Sequence, residues 1–302
     1  MPEHGRVTVE IQLVSVKNIL TRSSGFLTTV SSHSLQPYRG CSFGNALCGV
    51  GCYVRHHQWV LQGRAWGSFL DVRTNAAESY LKNAHREAAW ARRTLGRFSI
   101  FCSSATDPFV PQERKYHVTH QLLQAMHEVP PDELILQTHS PLVLDELPQL
   151  QQLQAKCRVR VHVSIESDQD RLPGLPPPAA SVQARLNACR ELKRAGLEVV
   201  VTVAPLLPIH APDEFFASLA EVADAVVIDH FIGGDGSTNG SRTLRTPLPA
   251  AIRAVEPRAA SLEYRDEMVA IARRHFPTRT GVGIDGFAGR WLPESPDSLI
   301  EG

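Results

Sequence analysis

From residue 99 onward, short apolar and β-branched runs alternate with longer stretches of helical periodicity. Such alternation is typical of βα units around a parallel sheet, because a buried strand is apolar on both faces and its helix has one apolar stripe. Five strands are predicted, at 99–104, 134–140, 158–166, 197–205 and 224–231. Helices are predicted between them, at 111–129, 142–156, 181–195 and 213–223. The sequence therefore predicts an α/β fold.

The helix that follows Ser181 has the clearest pattern. Ser181 is a favourable N-cap, and Gly196 is a favourable C-terminal stop. One apolar stripe runs between them, formed by Val182, Leu186, Cys189 and Leu192. We expect this stripe to pack against the sheet.

The first hundred residues contain fewer recognisable elements. An alternating run at 7–16 predicts one strand, and the Ala, Arg and Glu content of 72–95 predicts a helix. A short strand near 35–38 raises the number of βα units to about six. We therefore predict an incomplete (β/α)6 barrel similar to a TIM barrel, with its active face at the C-terminal ends of the strands.

The same pattern divides the chain into three parts. We predict an N-terminal extension at 1–34, a core at 35–235 and a C-terminal extension at 236–302. The last part departs from the βα rhythm, since its clearest element is one helix at 261–274.

Composition restricts the class of protein further. The chain has 302 residues, of which 43% are hydrophobic and 21% charged, values close to those of globular proteins. Lys and Arg number 31 and Asp and Glu also number 31, so no net charge attracts the chain to nucleic acid or to an anionic membrane. Neither a membrane span nor a signal peptide is recognisable, and we expect a cytoplasmic protein with no membrane partner.

Three of the six cysteines lie close together, at Cys41, Cys48 and Cys52. Thiols clustered in a reducing compartment usually indicate a metal site. A [4Fe-4S] cluster normally has four Cys ligands, so three protein thiolates would leave one iron open to another ligand. The loop therefore indicates a catalytic iron-sulfur cluster.

Four short segments carry a resemblance: Tyr38-Arg39-Gly40-Cys41, Tyr53 directly after Cys52, the hexapeptide at 17–22, and Thr106-Asp107-Pro108. With them the chain, over residues 17–235, resembles the radical S-adenosylmethionine (SAM) superfamily, in the branch related to spore photoproduct lyase. That family usually has three and then two residues between its cluster cysteines, whereas this sequence has six and three.

The longer spacing leaves two registers. In one, Cys41, Cys48 and Cys52 all bind the cluster, and Tyr53 occupies the place of the family aromatic. In the other, Cys41 and Cys48 are the outer ligands, Asn45 stands where the middle cysteine belongs, and the cluster is lost. We favour the first, because three thiolates match the ligand count.

Two non-catalytic alternatives stay open. Cys48 and Cys52, with His56 and His57 nearby, could hold zinc, and Cys41 could replace one histidine. These pairs are only four residues apart, which is cramped for tetrahedral coordination. A degenerate barrel could also keep the fold and serve as a binding module.

The resemblance also implies roles for residues at the predicted strand ends. It implies that Ser103, Ser104, Thr106 and Asp107 face the methionine end of SAM. It also implies that Ser164 and Glu166 bind the ribose, that Tyr53 belongs to the cofactor site, and that backbone groups at 205–207 cover the adenine. The alternative for any one of these polar residues is that it caps the following helix.

Cys102 needs separate consideration. Spore photoproduct lyase uses a cysteine outside the cluster as a hydrogen-atom donor, and the resemblance implies this catalytic role for Cys102. Strand alternation predicts that Cys102 and Ser104 share one face of the sheet and that Phe101 and Ser103 share the other. A buried packing role is the alternative, since cysteine behaves as a small hydrophobe.

The function implied is that of a radical SAM enzyme with a [4Fe-4S] cluster and SAM as cofactors. The reduced cluster would give one electron to SAM, releasing methionine and a 5′-deoxyadenosyl radical that abstracts hydrogen from a substrate. An electron donor such as flavodoxin or ferredoxin is the expected partner. The substrate is not identified. A reaction like that of a DNA-repair lyase is implied by the resemblance alone, and the zero net charge does not support a nucleic-acid substrate.

Overall fold

Two β-sheets form the framework of the protein in the computed structural model, which describes residues 9–293. The strands are β1 Glu10–Val14, β2 Leu20–Arg22, β3 His33–Leu35, β4 Tyr38–Gly40, β5 Phe69–Arg73, β6 Ser99–Cys102, β7 Glu133–Thr138, β8 Arg158–Ser164, β9 Glu198–Val203, β10 Ala225–Ile228 and β11 Thr280–Val282. The small sheet has the order β1-β5-β4 and the large one the order β11-β10-β9-β8-β7-β6-β3-β2.

Helices connect most of these strands. They are α1 Leu27–Val30, α2 Leu47–Val50, α3 Gln58–Leu61, α4 Ala76–Leu95, α5 Glu113–Tyr116, α6 Val118–Glu128, α7 Leu147–Gln154, α8 Val182–Arg194, α9 Pro212–Val222, α10 Phe231–Gly234, α11 Leu248–Val255, α12 Leu262–His275 and α13 Gly283–Phe287. Short 3-10 helices occupy Tyr53–His56, Pro141–Glu146, Thr243–Arg245 and Pro257–Ala260. None of the helices between residues 9 and 293 is both long and apolar enough to cross a membrane.

The large sheet is parallel from β3 to β11, and only β2 runs antiparallel to its neighbour β3. The prediction of an α/β protein with a parallel sheet is therefore confirmed. The sheet is open, because its edge strands β2 and β11 are not paired with each other in the described part of the chain. Closure into a barrel is not observed, and β11 adds a parallel strand to the six that were predicted.

Side chains alternate between the two sides of the large sheet. On β8, Val159, Val161 and Val163 face the helices and belong to the main hydrophobic core. The opposite side, which we call the inner side, has Arg160 and His162, both fully buried. Because period-2 alternation is strict in a strand, one side of the sheet is apolar and the other carries polar groups toward the strand ends.

The α13 helix covers part of the inner side. Its Phe287 ring contacts both Phe101 and His162, with ring centroids 6.4 and 6.1 Å away. Phe287 also packs against Val200 and Val227, which form part of a small apolar cluster. The C-terminal part of the chain thus closes the region beneath the polar strand ends.

Several predicted elements differ in their bounds. The helix expected at 72–95 begins only at Ala76, because the preceding residues form β5, which pairs with β1 and β4. The helix expected at 111–129 is divided into α5 and α6 at His117, whose φ is +51°. The strand expected near 35–38 is divided between β3 and β4.

The large sheet continues across both predicted boundaries between the core and the extensions. Strand β3 spans residue 34, and β11 lies in the predicted C-terminal extension yet pairs with β10. The division at 34 and 235 remains a prediction. The sheet itself connects the three parts through backbone hydrogen bonds.

Candidate functional site

The three clustered cysteines lie in one loop that begins at the end of β4. Cys41 follows Gly40 directly, Cys48 is in the short helix α2, and Cys52 precedes the 3-10 helix Tyr53–His56. All three are free thiols; Cys41 is buried, and the other two residues are partly exposed.

Glycines allow this loop to fold closely on itself. Gly40 has φ +80°, and a Cβ there would lie 2.5 Å from the Phe69 ring. A Cβ on Gly49 would lie 2.2 Å from the Gly44 carbonyl oxygen. Since real Cβ atoms do not approach so closely, only glycine allows the backbone to bring the cysteines into one compact loop.

Each of the three thiols favours its protonated form. Burial raises the pKa of Cys41 to about 12, with a further contribution from the Asp107 charge, and burial raises the pKa of Cys52 to about 11. Burial also raises the pKa of Cys48 well above its ordinary value. The negative charges that add to this increase belong to Cys41, Glu166, Cys52 and Asp107. Cys41 and Cys48 are thus within electrostatic range of the carboxylates at the strand ends, and Cys52 is within range of the other two thiols.

This donor set fits an iron-sulfur cluster. Cysteine binds metal as the thiolate, so a cluster that displaces the three protons would remove the cost of leaving buried thiolates uncompensated. Within residues 9–293, no three His, Cys, Asp or Glu side chains converge closely enough to hold one metal ion. A cluster differs in that its cysteine ligands bind separate irons.

Asn45, the alternative to a cysteine ligand in the second register, is already engaged. Its side-chain amide donates to the Gly67 carbonyl at 2.9 Å. This contact holds the loop against the segment before β5, and it agrees with a structural role for Asn45.

A chain of charged residues lies at the carboxyl ends of β6, β7 and β8. Asp107 accepts hydrogen bonds from the Thr138 hydroxyl at 2.9 Å and from the His139 backbone N–H at 2.6 Å. His139 Nε2 lies 2.9 Å from Glu166 Oε1, and Arg185 of α8 donates to Glu166 Oε2 at 2.6 Å. Parallel strands end at the same edge of a sheet, so these residues meet although they are distant in sequence.

The electrostatics of this chain favour a positive His139 and a negative Glu166. Burial lowers the pKa of His139, but the hydrogen bonds and charges of Asp107 and Glu166 outweigh it and raise the pKa to about 9. Burial raises the pKa of Glu166, but the charges of Arg185 and His139 hold it well below its ordinary range. Glu166 is therefore ionised at neutral pH.

One oxygen of Glu166 has unused hydrogen-bonding capacity. Oε1 is buried and receives no well-directed hydrogen bond, although His139 Nε2 is close to it. The Gln137 Oε1 atom is also buried without a donor. Buried acceptors without donors are costly in proteins, so both atoms are suited to the hydroxyl or amino groups of a bound ligand.

The residues predicted near the methionine end of SAM connect β6 to the cysteine loop. Tyr53 donates its hydroxyl to the Ser104 carbonyl at 2.5 Å, and Thr106 donates to the Gly40 carbonyl at 2.8 Å. The Ser104 hydroxyl accepts a hydrogen bond from Gln36, and Ser103 is buried beside Cys102. The structure thus brings this segment against the cysteines.

Ser164 lies at the end of β8 on the inner side, but its hydroxyl is engaged within the protein. Gln137 Nε2 donates to it at 2.7 Å, and the Thr202 hydroxyl lies 3.0 Å away. Ser164 also accepts a hydrogen bond from Arg185 through its backbone carbonyl. It therefore connects the inner side of the sheet with the helix that orients Glu166.

Cys102 is not at the inner side. It is 3% exposed and packs in the main hydrophobic core, on the same face as Ile100 and beside Leu35 and Leu136 on the adjacent strands. Phe101 points to the opposite side, as strand alternation requires. This burial favours a packing role, and Cys102 as hydrogen donor does not enter the proposal below.

The structure adds residues to which the sequence assigned no individual role. His139, Arg185 and Gln137 join the site only because the strand order places them beside Glu166 and Ser164. Asp229 follows β10, and within residues 9–293 its carboxylate has no ion-pair partner and only the neighbouring His230 backbone N–H as a hydrogen-bond donor. The available signal was position: His139 and Asp229 each lie at the C-terminal end of a predicted strand.

Sequence comparison finds uncharacterized relatives that match about half of the chain. No family model matches the chain. It is 28% identical over 184 residues to an uncharacterized protein of Mycobacterium tuberculosis, covering 58% of this chain and 50% of that protein. It is 31% identical over 151 residues to an uncharacterized protein of Acidianus two-tailed virus, covering 48% and 44%. The chain thus spans half or less of the length of these relatives.

The solved structures are more informative about architecture. A mutant of spore photoproduct lyase with dinucleoside spore photoproduct matches with a TM-score of 0.58 at 16% identity, covering 90% of this chain and 81% of that one. A second structure of a mutant of the same enzyme matches with a TM-score of 0.57 at 15% identity. The resemblance inferred from the sequence is therefore confirmed at the level of the fold: this chain has the fold of spore photoproduct lyase.

Proposed function

We propose that this chain is a radical SAM enzyme, with a [4Fe-4S] cluster on Cys41, Cys48 and Cys52 and SAM bound over the carboxyl ends of the parallel strands. The observation that carries the proposal is that the loop with the three thiols is hydrogen-bonded to the turn after β6, from Tyr53 to the Ser104 carbonyl and from Thr106 to the Gly40 carbonyl. When bound, the cluster would supply the electron for reductive cleavage of SAM, after which hydrogen is abstracted from a substrate.

The residues of the chain would bind and orient SAM. Arg185 fixes Oε2 of Glu166, and Oε1, which His139 Nε2 approaches to 2.9 Å, would use its remaining lone pair to accept a ribose hydroxyl. Ser164 would contribute through the same inner-side network, with Gln137 Oε1 as a further acceptor. These contacts would satisfy buried acceptors and so favour a ligand with several donor groups.

Residues 103–107 would form the wall beside the methionine end. Asp107 accepts hydrogen bonds from both Phe109 and Thr138, which stiffens the turn after β6. Tyr53 and Thr106 fasten this turn to the cysteine loop. The turn would therefore hold Ser103 and Ser104 in a constant position relative to the three thiols.

The remaining parts of the proposal are an unidentified substrate, an electron donor of the flavodoxin or ferredoxin class, and a cytoplasmic location. Spore photoproduct lyase itself occurs with dinucleoside spore photoproduct in one of the matching structures. The substrate of a related lyase reaction is therefore the first candidate to examine. It needs its own test, because a shared fold does not determine a shared substrate.

The first experiment is metal analysis after anaerobic purification and reconstitution. We expect brown protein with about four irons per chain and absorbance at about 400 nm. Colourless protein that retains zinc would support the zinc-stabilised alternative instead.

The second experiment measures SAM cleavage after reduction with dithionite. We expect slow formation of 5′-deoxyadenosine without added substrate. An intact cluster that yields no 5′-deoxyadenosine, and whose EPR spectrum SAM does not alter, would contradict the enzymatic proposal and favour a degenerate barrel.

The third experiment addresses ligand binding without turnover. Glu166→Gln should weaken binding of S-adenosylhomocysteine by about tenfold in calorimetry, because the charge-assisted hydrogen bond to the ribose is lost. Glu78→Gln is the matched control, since Glu78 is exposed on α4. Equal weakening in both variants would show that Glu166 does not bind the ligand.

A further inference from the structure

One surface beside the cysteine loop combines exposed apolar side chains with arginines. Six large hydrophobic side chains are exposed in residues 9–293, and three of them are Phe26, Trp59 and Leu244. Phe26 and Trp59 are joined by two intervening rings: Phe26 contacts Tyr53, Tyr53 contacts His57, and His57 contacts Trp59, at centroid distances of 6.5, 5.5 and 6.3 Å. Exposed apolar groups gathered at one place indicate an interaction site.

The cationic part of this surface comes from two distant segments. Arg55 belongs to the cysteine loop, whereas Arg242 and Arg245 flank Leu244 in the C-terminal part of the chain. Arg242 Nη1 lies 3.4 Å from His57 Nε2, which joins the two segments. The same part of the chain packs on the loop, because a Cβ on Gly51 would lie 2.3 Å from Leu248 Cδ2.

These arginines are not neutralised by the protein. None of the three has a carboxylate within 4.0 Å in the described part of the chain. Within residues 9–293, Arg242 donates to the Asp235 carbonyl and to the neutral His57 ring, and Arg55 donates to the Val50 carbonyl, so none of these acceptors carries a negative charge. In a chain of zero net charge, such a cluster is a local positive region that attracts an anionic partner.

The surface is adjacent to the proposed cluster. Tyr53 follows Cys52 directly, and its ring contacts Phe26 and His57. Arg55 lies three residues after Cys52 and donates to the Val50 carbonyl of the same loop. A partner seated on this surface would therefore lie over the loop that carries the thiols.

We propose that this surface, formed by Phe26, Arg55, Trp59, Arg242, Leu244 and Arg245, docks an acidic electron-transfer protein of the flavodoxin or ferredoxin class. This inference rests on the proposed function, since it gives the partner a redox role. One electron would pass from the reduced carrier to the cluster, so the carrier is oxidised and the cluster reduced, and no atom is transferred. Complexes of this kind are small and depend on charge, which suits a few arginines around an aromatic contact.

The test is calorimetric titration of the reconstituted full chain with an oxidised bacterial flavodoxin at about 50 mM and about 300 mM salt. We expect binding that weakens at the higher salt. Arg242→Glu/Arg245→Glu should weaken it by about tenfold or more, and Trp59→Ala should weaken it at both salt concentrations.

The matched control is Lys82→Glu/Arg93→Glu, which changes the charge equally at two exposed positions on α4. We expect this control to bind like the wild type. If the Arg242 substitution prevents folding, Arg245→Glu alone serves, because that side chain is exposed and has no hydrogen-bond partner in residues 9–293.

Equal flavodoxin binding by the surface variant and the control would overturn the docking proposal. So would a failure of the wild type to bind flavodoxin or ferredoxin, or binding of a single-stranded oligonucleotide that only the surface variant loses. Dithionite separates this proposal from the function itself, because it reduces the cluster without a carrier. Deoxyadenosine formed with dithionite, together with absent carrier docking, would refute the surface and leave the enzymatic proposal standing.

Discussion

His139 and Glu166 form a largely buried ion pair across the ends of two adjacent parallel strands, with 2.9 Å between Nε2 and Oε1. The pair is stabilised from both sides, by Asp107 at the histidine and by Arg185 at the carboxylate. It is the central contact of the candidate site, because it joins the turn after β6 to the residue proposed to bind the ribose.

This pair makes stability depend on pH. The pKa of His139 is raised to about 9 from an ordinary value of 6.5, so its contribution is complete below about 6.5 and is lost as pH rises through about 9. His139→Gln should lower the free energy of unfolding by about 2 kcal/mol at pH 7 and much less at pH 10. Denaturant titration at the two pH values measures the difference, with His85→Gln on α4 as the exposed control. An equal loss at both pH values would mean that the histidine is not charged in the folded protein.

The proposed cluster should depend on the three loop cysteines. Cys41→Ala, Cys48→Ala and Cys52→Ala should each lose most of the iron and the absorbance at about 400 nm after anaerobic reconstitution, because each removes one ligand. Cys157→Ala is the control, as this cysteine lies outside the loop at the start of β8. Full iron content in Cys52→Ala would contradict the register in which all three cysteines bind the cluster, and full content in Cys41→Ala would contradict the whole ligand assignment.

Cys102 should behave as a core residue. Because it is 3% exposed, we expect iodoacetamide to alkylate it only after unfolding, while the partly exposed thiols of the apoprotein react in the native state. Cys102→Ala should cost about 1 kcal/mol of stability and leave substrate-free SAM cleavage unchanged. Rapid native alkylation of Cys102, followed by mass spectrometry, would place its thiol at an accessible surface and revive the hydrogen-donor role.

Asp229 should destabilise the protein at alkaline pH. Burial raises the pKa of this carboxyl to about 7, against the opposing effects of the His230 backbone hydrogen bond and the Arg265 charge and with a small further increase from Asp235. A raised pKa means that stability is complete below the unfolded value of 3.8 and declines as pH rises through about 7. Asp229→Asn should therefore be more stable than wild type by roughly 2 to 4 kcal/mol at pH 8 and nearly equal to it at pH 4.

The control for this effect is Asp145→Asn, at a carboxylate that is more than half exposed. It should show no comparable pH-dependent gain. If Asp229→Asn is no more stable than wild type at pH 8, the carboxylate has a partner or solvent access that lowers its pKa.

The sequence by itself determined the elements with strong local patterns. Helix α8 forms where its apolar stripe predicts it, and the Ser181 hydroxyl accepts the cap hydrogen bond from Ala184. The strands rich in valine lie where β-branched runs predict them, as in β9. The cysteine loop is also local information, because three thiols within twelve residues stay close in any compact fold.

Only the tertiary structure decided which side chains meet. The side to which Cys102 points depends on the register of β6 between β3 and β7, and a shift of one residue would reverse it. The contact of His139 with Glu166 requires the order of β7 and β8 in the sheet.

The contact of Arg242 with His57 joins residues 185 positions apart. Chain periodicity reports which residues are buried in one element, but partners from different elements are chosen by packing of the whole chain. That is why the cysteine loop was recognisable in the sequence. The network of charged residues at the ends of β6, β7 and β8 and the arginine surface beside the loop were not.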